Sequence, residues 1–225
     1  MIGKPRLTSK RFLASAVMLF AATAILSAHL AAAPNASATV TFRKVFKSSY
    51  PEFTEIKISE NGAGTFDIRA LDDAPSPQAF QVSQPLAQKI FQLAAKLHDF
   101  QGANLDIHRR IANLGQKTFV YESGSEKYEV SFNYTLDEAA SQLANIFEGL
   151  SRQELDLSDL QRTMRYDHLG VNDVVRQIES DYNDKLLPEP DRLLPSLDQV
   201  ASDNTFVDVA RQRARSLAIR IRASH

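Results

Sequence analysis

Two stretches of strict alternation constrain this chain more than anything else in it. Around "EIKISENGAGTFDIRAL", residues 55–71, Thr54, Ile56 and Ile58 point one way while Glu55, Lys57 and Ser59 point the other. Past the turn, Phe66, Ile68 and Ala70 alternate with Thr65, Asp67 and Arg69. A period of two with one apolar and one polar side is a sheet with a buried face and a wet face. Asn61-Gly62 and Gly64 are expected to supply the positive φ angles of a tight connection. Further along, "KTFVYESGSEKYEVSF" repeats the device: Phe119 and Tyr121 precede the turn, and Tyr128, Val130, Phe132 and Tyr134 follow it on one face.

Each hairpin is followed by a helical pattern. Ser83 is a plausible N-cap with Pro85 in the first turn, and Leu86, Ile90, Leu93, Ala94 and Leu97 form an apolar stripe. After the second hairpin, Thr135 with Glu138 reads as a capping box, and Ala139, Leu143, Ile146 and Leu150 form the stripe. The spacing predicts an α+β fold in which two β-hairpin–helix units form a four-stranded antiparallel sheet with helices on one face. The Ile90-Phe91 and Ile146-Phe147 pairs leave an internal duplication open, although the rest of the two units shares little sequence.

The surrounding chain is helical or turn-like. "DDAPSPQAFQ" reads as a turn-rich link, and "NLDIHRRIANLG" as a short helix ended by Gly115. An all-helical C-terminal region is expected over 151–225, packed on or beside the α+β domain of residues 39–150. Its signals are a cap at Ser158, a stop at Gly170, a stripe of Val171, Val174, Val175, Ile178 and Tyr182, a proline-punctuated link, and a last helix capped by Thr205.

The N-terminus carries Lys4, Arg6, Lys10 and Arg11 without an acid, then an uncharged run from Phe12 to Ala28, then small residues up to Ala36-Ser37-Ala38. That order is a secretory leader, so residues 1–38 are expected to be a signal peptide and the rest exported, periplasmic or secreted. An uncleaved N-terminal membrane anchor is the alternative. The chain has no cysteine, which excludes disulfides, thiol nucleophiles and a cysteine-linked lipid. Removing the leader's four bases from the chain's 26 leaves an excess of its 27 acids, which argues against nucleic-acid binding.

No stretch spells out chemistry. The histidines outside the leader, His98, His108, His168 and His225, lack the spacing that pairs imidazoles on a helix, although His98, His108, Asp167 and His168 are what a hydrolase or metal-dependent enzyme would have to use. Ser123 and Ser125 sit in a turn without a nucleophile elbow, and "NGAG" lacks the lysine of a phosphate loop. Glu52 with Glu55 and Asp156 with Asp159 read as solvated surface carboxylates. No cofactor is expected. The leading expectation is a non-enzymatic binding or envelope-associated module with a protein or envelope partner, and a purely structural envelope protein is a further alternative. Two surfaces are candidates: the wet sheet face with Lys57, Asp67, Arg69, Glu129, Ser131 and Asn133, and the basic last helix with Arg211, Arg215 and Arg222. Such a helix has the makings of a weak attachment to anionic lipid.

Overall fold

The structure, a computed structural model, describes residues 37–47, 49–107 and 112–224. Its sheet is antiparallel and six-stranded. The strands are β1 (Thr39–Val45), β2 (Phe53–Ser59), β3 (Ala63–Arg69), β4 (Gln78–Gln81), β5 (Gln116–Ser123) and β6 (Glu126–Phe132), in the order β4-β3-β2-β1-β5-β6. Among the described residues the helices are α1 (Gln84–Lys96), α2 (Glu138–Tyr166), α3 (Val171–Asn183), α4 (Leu194–Ser202) and α5 (Asp208–Arg222).

Both expected hairpins form, but they do not pair with each other. β1 lies between them and sets Phe42 opposite Ile56 on one side and Phe119 on the other. The four-stranded expectation is therefore corrected to six. β1 directly follows the run of small residues that ends at Ala38, and its Val40 and Phe42 give only two apolar beats of alternation. β4 arises from the turn-rich link. Its four residues pair only with β3, at an edge where weak strand sequence is tolerated. The first turn also differs in its physics. Gly62 has the positive φ (80°), whereas Gly64 is needed for space, because a Cβ there would lie 2.7 Å from the Ile58 side chain and 2.8 Å from the Phe80 ring.

Local capping decides the helix ends. Ser83 Oγ accepts from the Leu86 amide at 3.3 Å, as its position predicts. At α2 the cap is Asp137 rather than Thr135: its carboxylate accepts from the Ala140 amide at 2.8 Å, while Thr135 Oγ1 accepts from the Asp137 amide. Ser158 lies inside the continuous helix α2, and Gly170 opens α3 instead of closing its predecessor. Thr205 donates its amide to Asp203, and α5 starts only at Asp208. Of the short helix expected before Gly115, residues 108–111 lie outside the described residues; the stretches on either side are not helical. The proline-rich link forms a 3₁₀ turn, Pro190–Leu193, that runs directly into α4.

Two cores result. On one sheet face, Val40, Phe42, Ile56, Ile58, Phe119 and Phe132 pack under α1 and the first half of α2. Aromatic rings dominate: Phe42 stacks on Phe147 at 5.4 Å, and Phe119 lies 5.2 Å from Phe100 and 5.3 Å from Phe132. Such pairs add about 0.5–1.5 kcal/mol each beyond their burial. The second core joins Leu160 of α2 to Val175, Ile178, Leu193, Leu197, Val200, Ala214, Leu217 and Ile221. α2 runs through both. At its middle the apolar stripe gives way to buried polar groups: Gln153 accepts from the Glu189 amide at 3.0 Å, and Glu154 pairs with Arg192. The Ser83 amide donates to Glu189 at 2.7 Å, so the same belt holds the start of α1. Among the described residues no helix is long and apolar enough to cross a membrane.

Candidate functional site

The sheet register places the wet-face residues in rows. Lys57, Thr41, Val120 and Glu129 form one row across β2, β1, β5 and β6, and Asp67, Glu55, Arg43, Thr118 and Ser131 form the next. They share a face, but most of them are engaged. Lys57 and Lys127 both grip Glu122, at 2.8 and 2.9 Å, and hold its carboxyl down to about 2 through those hydrogen bonds. Asp67 is buried, pairs with Arg69 at 3.0 Å and accepts from the Ser76 amide. Arg69 also lies over the Phe53 ring at 4.2 Å. Ser131 and Thr118 hydroxyls meet at 2.8 Å. Asn133, one residue past β6, ties down the neighbouring loop by accepting from the Leu114 amide and donating to the Ala112 carbonyl. Glu129 is exposed.

Four of the five arginines of α5 are divided between its two neighbours, α3 and α4. Arg222 reaches Asp198 at 2.5 Å and Arg215 the Ala201 carbonyl at 3.0 Å, both on α4; Arg211 binds Asn204 and Asp208. Arg213 and Arg220 both close on Glu179 of α3, each at 2.6 Å. The opposite side of the helix, with Ala210, Ala214, Leu217 and Ile221, is buried in the second core. His98 follows α1 beside the sheet, whereas His168 packs edge-on against Phe206 at 5.0 Å at the helical core. Asp167 accepts from the Gly170 amide. His108 and His225 lie outside the described residues. Among the described residues no group of three or more histidines and acids is arranged to hold a metal ion.

A different site emerges where the two cores meet. The end of β1, Phe46, the stretch from Ser49 to Pro51, the middle of α2 and the face of α3 line a cleft of about 470 Å³. Its lip is Tyr50, 86% exposed, and its aromatic and aliphatic lining includes Phe46 and Leu155. A second groove of about 580 Å³ shares Tyr50, Leu155 and Asp159 with it and continues toward Phe66 and Phe80. Volumes of this size are those of small-ligand sites.

The cleft's floor is acidic. Asp156 of α2 is 9% exposed and Asp181 of α3 only 3%. Asp181 has donors: Arg152 at 3.3 Å and Gln177 at 3.2 Å. Asp156 Oδ2 is sealed from solvent, and among the described residues no donor reaches it. Burial first, and then the Asp181 charge, push the Asp156 carboxyl up to about 7. Two ionised carboxylates can only repel; their contact becomes a hydrogen bond when one of them holds a proton. At the cleft's other end Lys44 pairs with Glu148 at 2.8 Å. Lys117, directly opposite Lys44 in the sheet, lies 3.8 Å from the same carboxylate, and burial lowers its pKa.

From the sequence, Asp156 and its helix neighbour Asp159 are both expected to be solvated surface carboxylates, but Asp156 is buried. The structure pairs it with Asp181, and Asp159 instead meets Arg162 at 3.0 Å near solvent. One signal was present. Asp181 falls three residues after Ile178, on the apolar stripe of α3, and Asp156 falls four before Leu160 on α2. An acid on an apolar stripe is a buried acid. Set against known proteins, the chain matches no family model, and no curated protein matches it in sequence.

Proposed function

We propose that this is an exported, non-enzymatic binding module and that its ligand, a component of the cell envelope, seats in the cleft between β1, α2 and α3. The supporting observation is the cleft itself: a concave site of about 470 Å³ in which polar groups from three regular elements converge beside aromatic walls. The elements are held by the aromatic core on one side and the helical core on the other, so the site is largely pre-formed. Preorganisation of that kind favours binding because little is left to order. The wet sheet face and α5 are secondary surfaces, since their charges are mostly engaged in internal pairs.

The test is an amide-resolved NMR screen of residues 39–225 against a library of small polar and aromatic fragments. Hits should cluster on amides of residues 49–54 and 148–159. A screen that leaves those amides unmoved at millimolar fragment concentrations rejects the reading. Export is tested separately by mass spectrometry of the protein recovered from the envelope. An N-terminus at Thr39 supports removal of residues 1–38, whereas an intact Met1 in the membrane fraction supports the anchor.

A further inference from the structure

We infer that the cleft binds a primary ammonium group carried on an apolar body, with the Asp156–Asp181 carboxyl pair as its anionic seat. This rests on the cleft being the ligand site, and it names the chemistry of the ligand.

Most charges that line the cleft are paired with one another. Lys44 is matched by Glu148, Arg152 by Asp181, and Asp159 at the rim by Arg162. Lys117, behind Lys44, faces the same Glu148. Asp156 is left as the acid of the lining without an ion pair among the described residues, and its Oδ2 has no donor although the side chain is more than nine-tenths buried. A buried carboxyl in that condition lacks the hydrogen bonds that normally offset its loss of water. A proton or a donor completes it, and only a proton or a cation also balances its charge.

A proton is the small occupant, and below neutrality it is what Asp156 holds. An ammonium is the larger one. It brings three donors and a full positive charge, enough to bond Asp156 and Asp181 together and cancel their repulsion. Asp156 and Asp181 both line the cleft, and since Oδ2 is turned away from solvent, the Asp156 carboxyl must turn toward the cleft to meet such a group. Phe46, Leu155 and Tyr50 offer an apolar wall for a carbon stem, and ring faces near a cation add attraction. An anionic ligand would meet the pair's own charge, and a neutral hydroxyl would donate a single hydrogen bond to Oδ2 but leave the charge of the pair unbalanced.

The two occupants compete, which gives the inference its signature. Ammonium binding must expel the proton from the pair, so affinity rises with pH through the pKa of Asp156. For one proton at about 7, the gain from pH 6 to pH 8 is about tenfold.

Three probes of nearly equal shape separate the possibilities: 2-phenylethylamine, 2-phenylethanol and 3-phenylpropanoate, titrated by NMR and calorimetry into residues 39–225 at pH 6 and pH 8. The amine should shift the amides of residues 49–54 and 151–159, bind about tenfold tighter at pH 8, and release a proton at pH 6. Asp156→Asn should weaken it at least tenfold and remove the pH dependence. If that variant does not fold, the pH dependence and the proton count of the unaltered protein decide. An Nα-acetylated lysine amide, run alongside, distinguishes a lysine side chain from a free amine, and binding by either supports the inference. Equal binding of the alcohol or the acid, or amine binding indifferent to pH, overturns the ammonium inference while the cleft stands as a ligand site. If none of the probes moves these amides at millimolar concentration, the cleft reading falls with it.

Discussion

The two cores of this protein are built from different materials. Under the sheet, five phenylalanines, Phe42, Phe100, Phe119, Phe132 and Phe147, interlock ring against ring. The helical core is assembled from leucine, valine, isoleucine and alanine, with Ala210, Ala214 and Ala218 letting α5 lie close to its neighbours. Large rings fill the wide gap between a pleated sheet and a helix, whereas small side chains on a helix let helix axes approach. A single helix, α2, serves both, and the buried polar belt sits where one packing mode gives way to the other. The cleft is a product of that change, because neither rings nor aliphatic side chains close the seam between the two layers.

Breaking each core tests whether α2 makes them one cooperative unit. Phe147→Ala removes a ring at the centre of the sheet core and should destabilise by about 3–5 kcal/mol in chemical denaturation. Leu217→Ala should cost about 2–4 kcal/mol in the helical core. If the cores are coupled, both variants show one shifted transition; two separate transitions would show that α2 joins them without coupling them.

Changes at the seam should have smaller effects. Gly149→Ala places a Cβ 2.7 Å from the Leu186 carbonyl and 2.8 Å from the Pro188 ring, where the link to α4 crosses α2, and should cost about 1–3 kcal/mol. Asp156→Asn should go the other way. The folded-state pKa of about 7 lies above the ordinary carboxylate value, so the native state binds the extra proton and wild-type stability falls as pH rises from about 4 to about 7. Asparagine removes that loss. Thermal melts should show the variant gaining roughly 1–2 kcal/mol at pH 8, after discounting for solvent screening, and little at pH 4. The smallest effect belongs to the surface: Arg222→Ala breaks a half-exposed pair with Asp198 and should change stability by less than about 1 kcal/mol.

The legibility of the sequence differed between these regions. Thr54, Ile56 and Ile58 announce their strand because every second residue records which side is buried, and Ser83 announces its cap because the bond it makes is only three residues away. The Ile-Phe pairs carry no such record of burial. In α1 the isoleucine of the pair is fully buried and the phenylalanine half-buried, whereas in α2 the burial is reversed, so the matching letters occupy different faces. β1 was hard to read because its partners lie on both sides of it, with β5 more than seventy residues along the chain.

By itself, then, the sequence determined what depends on neighbours in the chain: the two hairpins, the Ser83 cap, the apolar stripe of α1 and the helical character of the C-terminal region. Tertiary structure alone decided which strands meet, that α2 continues unbroken from one core into the other, and that Asp156 faces Asp181 across two helices. The physical reason is range. Backbone geometry and capping act over a few residues and leave a periodic trace, whereas the charge state of a carboxyl is set by whatever the fold brings beside it.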